Sequence, residues 1–138
     1  MYPILCLVLL TTSMVYGKTT YVSIPQDQLP NLLNSSMACM ANSGIDSETM
    51  QRILAWKFDN TEGVRKFIYC FATTSGYGDE NGHLIKEKMM KLVTNNKRKN
   101  EYGNVIDECN KTKGDNKYDT MYKTTTCFYN NSPILLKL

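Results

Sequence analysis

Behind an apolar leader the chain carries four cysteines, Cys39, Cys70, Cys109 and Cys127, and no other feature restricts its folding as strongly. The leader is MYPILCLVLLTTSMVYG, residues 1–17, which holds no charged side chain and takes the fifth cysteine, Cys6, with it. Its unbroken apolar run, Ile4 to Leu10, is far shorter than the roughly twenty residues that a membrane-spanning helix needs. Val15 and Gly17 suit a signal-peptidase site before Lys18, so residues 1–17 read as a signal peptide and 18–138 as the mature domain. No other stretch is long and apolar enough to span a bilayer. The protein is expected to be secreted and soluble.

An even number of cysteines in an oxidising compartment reads as two disulfides, with three pairings open. The chain has no CxxC, and its single histidine, His83, has no companion at ligand spacing, so no metal is expected. A thiol nucleophile would need a free thiolate beside that histidine, and an even count leaves no thiol over. The calcium loop and His-Asp pair of a secreted phospholipase are missing, as are the two histidines usual in a ribonuclease. The reading is therefore no enzyme and no cofactor. A net charge of +3, unchanged by loss of the leader, is too mild to imply nucleic acid or a membrane surface. About 120 mature residues make one domain with a modest core. Two bridges closing loops of about twenty to thirty residues would each stabilise it by roughly 3–4 kcal/mol in the chain-entropy model.

Apolar spacing is helical nearly throughout. IPQDQLPNLLNSSMACMANSG places Leu29, Leu32, Leu33, Met37 and Met40 at steps of three and four and stops at Gly44, with Pro30 near the first turn or dividing the segment. DSETMQRILAWKF starts on Asp46. DNTEGVRKFIYCFATTSG has Asp59 with Glu62 three residues on, a capping-box pattern, followed by the stripe Val64, Phe67, Ile68, Phe71. GYGDENG is a turn signal, after which HLIKEKMMKLVTNN resumes the helical period. NKRKNEYG reads as a polar connector, NVIDECNKTKG as a short helix and NKYDTMYKTTTCFYNN as a last helix despite its threonine run. No segment has a convincing period of two. The class is all-α, about six short helices.

Six short helices with cysteines at 39, 70, 109 and 127 resemble the insect odorant-binding and pheromone-binding protein family. In that family's six-cysteine pattern, Cys39 looks like the first, Cys70 the third, Cys109 the fourth and Cys127 the sixth. The second and fifth positions, four before Cys70 and nine before Cys127, hold Lys66 and Tyr118. Those two cysteines pair with each other in the family, so their joint loss leaves no orphan thiol, as in the four-cysteine "minus-C" subgroup. CMANSGIDSETMQRIL and CFATTSGYGDENGHLIKEKM are similar to the family's text after its first and third cysteines. The resemblance runs from about Ile24 to Pro133.

It implies bridges Cys39–Cys70 and Cys109–Cys127 and a bundle around an apolar cavity. The implied function is a soluble carrier that takes odorants, pheromones or other small hydrophobic ligands to membrane odorant receptors. It would act in sensillar lymph or another extracellular fluid, as a monomer or weak homodimer. Matched onto the family, the pocket lining would be Leu29, Leu32, Ile53, Ile68, Ala72, Tyr77, Leu84, Met89, Ile106, Met121 and Phe128. Thr73, Thr74 and Thr124 would offer the hydrogen bond for a polar ligand head. His83 is the candidate pH switch, and Ile134, Leu135 and Leu136 form a lid or pack outside the last helix. Losing one bridge implies a more deformable pocket. Six of the eight methionines lie beyond the leader and fit adaptable apolar space, but a solid core would use the same residues. A general lipid carrier in haemolymph or glandular secretion, and a helical signalling protein without a cavity, share these features. Asn34, Asn110 and Asn130 open glycosylation sequons in helical or helix-end settings.

The mature oxidised protein should take up no thiol reagent until it is reduced. A titratable thiol in the native protein would overturn the two-bridge reading.

Overall fold

The computed structural model describes residues 19–138, so the signal peptide expected at residues 1–17 lies outside the described residues. In chain order the elements are β1 (Thr20–Ser23), α1 (Leu29–Ser43), α2 (Ser47–Leu54), α3 (Glu62–Ser75), α4 (Lys86–Lys91), α5 (Lys99–Cys109), α6 (Lys117–Asn131) and β2 (Ile134–Lys137). Pro30 sits in the first turn of α1, where its missing N–H is no loss. Asp46 caps α2 by accepting the Thr49 N–H at 2.7 Å. Among the described residues, no helix is long and apolar enough to cross a membrane.

Cys39 joins Cys70 and so ties α1 to α3, and Cys109 joins Cys127 and ties α5 to α6. The first bridge fixes how α1 is rotated about its own axis. Cys39 must face α3, and the residues three, four and seven positions before it share that face. The buried residues of α1 are accordingly Leu32, Ser35, Ser36 and Cys39. This corrects the apolar stripe read from the sequence. Leu33 and Met37 lie 43% and 63% exposed, because the bridge, rather than the apolar count, decides the inward face.

Other elements depart from the sequence reading for equally local reasons. The cap of α3 is Thr61, whose hydroxyl accepts the Val64 N–H at 3.2 Å, in place of Asp59. The helix expected from His83 onward is confined to α4, since the backbone before it is claimed by other partners. The Ile85 N–H donates to the Tyr77 carbonyl at 2.8 Å. Asn110 brackets Leu84, its Oδ1 accepting the Leu84 N–H at 2.9 Å and its Nδ2 donating to the Leu84 carbonyl at 2.8 Å. That use also commits the amide that opens the sequon at Asn110. The supposed connector NKRKNEYG supplies the first half of α5, because Tyr102 is fully buried there. Its hydroxyl donates to the Met89 carbonyl at 3.3 Å, and its ring meets Phe128 edge-on with centroids 5.5 Å apart. In the threonine-rich α6, Thr124 and Thr126 satisfy their hydroxyls on carbonyls one turn back, at 2.7 and 2.8 Å, and the helix is held by its buried face and the bridge to α5.

Two short strands are an addition to the helical reading. β1 and β2 pair in parallel, Thr20 opposite Ile134 through Ser23 opposite Lys137, which lays the C-terminal tail beside the N-terminal segment. A four-residue run is too short to show a period. The turn between α3 and α4 rests on Gly82, at φ +94°, where a β-carbon would lie 2.7 Å from the Lys117 carbonyl oxygen.

At the positions of the missing third bridge, non-covalent contacts join α3 to α6. Tyr118 meets Tyr69 edge-on with centroids 4.9 Å apart, and the Lys117 ammonium lies 5.0 and 5.3 Å from the two ring centroids. Lys66 turns instead to Glu62, at 2.9 Å on its own helix. Replacing Tyr118 by Ala should lower the stability of the oxidised protein by about 1–2 kcal/mol in denaturant titrations. No loss would show that this cluster does not substitute for the bridge.

Candidate functional site

An apolar cavity of about 150 Å³ lies between the helices and the C-terminal tail. α1 contributes Leu32, α2 contributes Ile53 and Leu54, and α3 contributes Ile68, Phe71 and Ala72. Leu84, Met89 and Leu92 close it from α4 and its flanks, and Phe128 from α6. Trp56 and Phe58, between α2 and α3, and Leu136 and Leu138 of the tail also line it. Phe128 divides the interior. One side of its ring meets Tyr102 in the solid core, and the Trp56 ring lies 6.0 Å away on the cavity side.

Trp56 holds the tail. Its indole N–H donates to the Leu136 carbonyl at 2.8 Å, and its ring stacks on Tyr129 with centroids 5.8 Å apart. The backbone there is left-handed, at φ +63°. The Lys57 N–H donates to the Arg52 carbonyl at 2.8 Å and the Trp56 N–H to the Ile53 carbonyl at 2.9 Å, a Schellman ending of α2. Glycine is the usual occupant of that position, and a bulky residue there costs on the order of 1–3 kcal/mol. The indole contacts to the tail and to α6 offset that strain. Ile134 and Leu135 are buried, so the tail is part of the core at its start and part of the cavity wall at its end.

The residues matched to a pocket from the sequence separate into two groups. Leu32, Ile53, Ile68, Ala72, Tyr77, Leu84, Met89 and Phe128 line this cavity. Leu29, Thr73, Ile106, Met121 and Thr124 do not. Ile106 and Met121 are fully buried among the solid core, and Leu29 sits half-buried at the start of α1. Thr73 and Thr124 donate to carbonyls of their own helices, and Thr74 lies 3.7 Å from the sulfurs of both Cys39 and Cys70. Of the hydroxyl residues that line the cavity, Ser75 donates to the Phe71 carbonyl and Tyr77 to Gln28, while Thr125, one residue on from Thr124, has no hydrogen-bond partner among the described residues. A helix turns about 100° per residue, so an error of one position moves a side chain from solid core to cavity. Phe71 was legible in the stripe of α3 and Leu136 in the tail read as a lid or outer packing, whereas Trp56 and Leu138 enter only through long-range contacts.

His83 stands outside the cavity. Its Nε2 lies 2.7 Å from the Thr112 carbonyl, so that nitrogen carries the proton and donates. The Tyr77 hydroxyl donates to Gln28 Oε1 at 2.7 Å, and burial, followed by the nearby Asp27 charge, raises its pKa above the ordinary phenol value.

The PBP/GOBP family model matches residues 23–131. No sequence among curated proteins matches the chain. Among solved structures, the fold is similar to odorant-binding protein OBP28a of Drosophila melanogaster, with TM-score 0.66 and 21% identity over 77% of this chain and 93% of that one. It is also similar to a fatty acid binding protein, OBP56a, from the oral disk of the blowfly Phormia regina, with TM-score 0.67 and 17% identity over 80% and 96% of the two chains. Odorant binding protein 7 of Anopheles gambiae, which has four disulfide bridges and was solved with an azo compound, aligns with TM-score 0.61 and 21% identity over 78% and 88%.

Replacing Trp56 by Phe keeps a ring but removes the N–H. We expect a stability loss of about 0.5–1.5 kcal/mol, with faster hydrogen exchange confined to the β1–β2 pairing. Unchanged exchange there would mean that the indole does not hold the tail.

Proposed function

Since this chain belongs to the PBP/GOBP family, we propose that it is a secreted carrier that holds one small hydrophobic molecule in the cavity under Trp56 and the C-terminal tail. The observation that carries this reading is an apolar space among the helices, bounded on one side by the C-terminal tail, a chain end rather than a helix. The ligand is retained by apolar burial against Ile68, Ala72, Leu84, Met89 and Phe128, at about 25 cal/mol per Å² before the costs of binding. A cavity of about 150 Å³ holds something the size of benzene, so larger odorants enter by displacing the tail or by reshaping Met89. The two disulfides hold α1 to α3 and α5 to α6 while the tail moves. Release at a membrane odorant receptor follows from the same opening.

Thr125 supplies the lining hydroxyl that has no partner among the described residues, which selects alcohols, esters and carbonyls over hydrocarbons of the same shape. No step of the reading requires catalysis or a cofactor.

The test is displacement of an apolar fluorescent probe from the oxidised protein, with emission of Trp56, the single tryptophan, as an internal reporter. Saturable one-to-one binding with micromolar competition by small alcohols, esters and aromatics is expected, at neutral and at mildly acid pH. Absence of saturable binding would leave a closed bundle with a packing void. Thr125→Val should weaken alcohols by about three- to tenfold and leave hydrocarbons unchanged.

A further inference from the structure

We propose that the polar cleft outside the cavity, flanked by Lys88 and Lys91, binds the carboxylate head of a medium-chain amphiphile whose tail fills the cavity. This inference rests on the carrier reading and names the ligand class. The cleft measures about 400 Å³ and runs between the start of α1 and the face of α4 that bears Lys88 and Lys91. It shares Ser75, Tyr77 and Leu92 with the apolar cavity, so these residues form the partition between the two spaces. The cavity of about 150 Å³ accommodates only a ring-sized group, and a longer chain must leave it. The shared partition is where such a chain passes from the cavity into the cleft.

The chemistry of the cleft selects what emerges there. Two ammonium groups face one carboxylate, Asp27, and the phenol of Tyr77 is neutral. Lys88 and Lys91 lie three residues apart on one helical face and have no ion-pair or hydrogen-bond partner among the described residues. Lys86 on the same helix is already committed to Asp107 at 2.7 Å. The remaining polar groups are also occupied. Asn31 donates to the Ser75 carbonyl at 2.9 Å, Tyr77 donates to Gln28 at 2.7 Å, and the Gln28 amide donates to Asp27 at 3.4 Å. The free donors are therefore the two lysines, and a surplus of one positive charge suits a monoanion. Tyr77, whose ring lines both spaces, is the residue past which the chain runs.

The experiment uses the oxidised mature protein at low ionic strength. Octanoate, methyl octanoate, octanol and octylamine compete against a neutral fluorescent probe. Octanoate is expected to bind about three- to tenfold more tightly than its methyl ester, with the advantage shrinking as salt is added. The paired substitution Lys88→Gln with Lys91→Gln should abolish that advantage and leave the ester and the alcohol unchanged. Equal affinity of acid and ester in the unaltered protein would overturn the proposal. So would an acid preference that survives the double substitution, or tighter binding of octylamine, which would assign the cleft to Asp27. If the ester and the alcohol also fail to displace the probe, the carrier reading falls and this proposal with it.

Discussion

The bridge between Cys39 and Cys70 sets the rotation of α1, and the cavity depends on that rotation. With Cys39 facing α3, Leu32 is brought two turns below it on the same face, opposite Ile68 and Ala72 of α3. Asn31 then reaches the Ser75 carbonyl and fixes the far end of the pair. In the chain-entropy account, closing a loop of this length stabilises the fold by about 3–4 kcal/mol. Its larger consequence is geometric, because it turns Leu33 and Met37 outward and leaves no long side chain of α1 to fill the space beside Leu32.

Why the interior is hollow on one side and solid on the other follows from what fills each side. Tyr102, Ile106 and Met121 are fully buried on the other side, and a β-carbon on Gly78 would come 2.5 Å from the Met121 terminal methyl. Beyond Phe128 the opposing elements are shorter. α2 ends at Leu54, α4 spans only Lys86–Lys91, and the remaining distance is covered by Trp56, Phe58 and the tail rather than by another helix. A wall built from chain ends and connections is also the wall that can open. The left-handed backbone at Trp56 is consistent with that, since strain is accepted there to aim the indole at Leu136.

The missing third bridge changes the character of the α3–α6 contact without removing it. Tyr69, Tyr118 and Lys117 form an aromatic and cation–π cluster at that place, worth a few kcal/mol at most and free to rearrange. A covalent tie would hold the two helices at one separation, whereas edge-on rings tolerate small shifts. The pocket is thereby bounded by two rigid helix pairs and joined by adaptable contacts.

The sequence by itself determined the helical class, the starts of α1, α2 and α6 and the inward stripe of α3, because these depend on local chemistry. A cap needs an oxygen within three residues, and a stripe needs only the period of the helix. The four cysteines beyond the leader likewise pointed to two bridges, and the cysteine spacing carried the family likeness that named both pairs. Only the tertiary structure decided which face of α1 turns inward, that Tyr102 belongs to a helix, and that β2 lies beside β1. It also decided which members of the apolar set enclose empty space: Phe128 borders the cavity while Met121 does not, and Thr125 faces it while Thr124 does not. These are questions of rotation and of contacts between distant segments. Burial by itself looks the same in a sequence whether the neighbouring volume is filled or left empty.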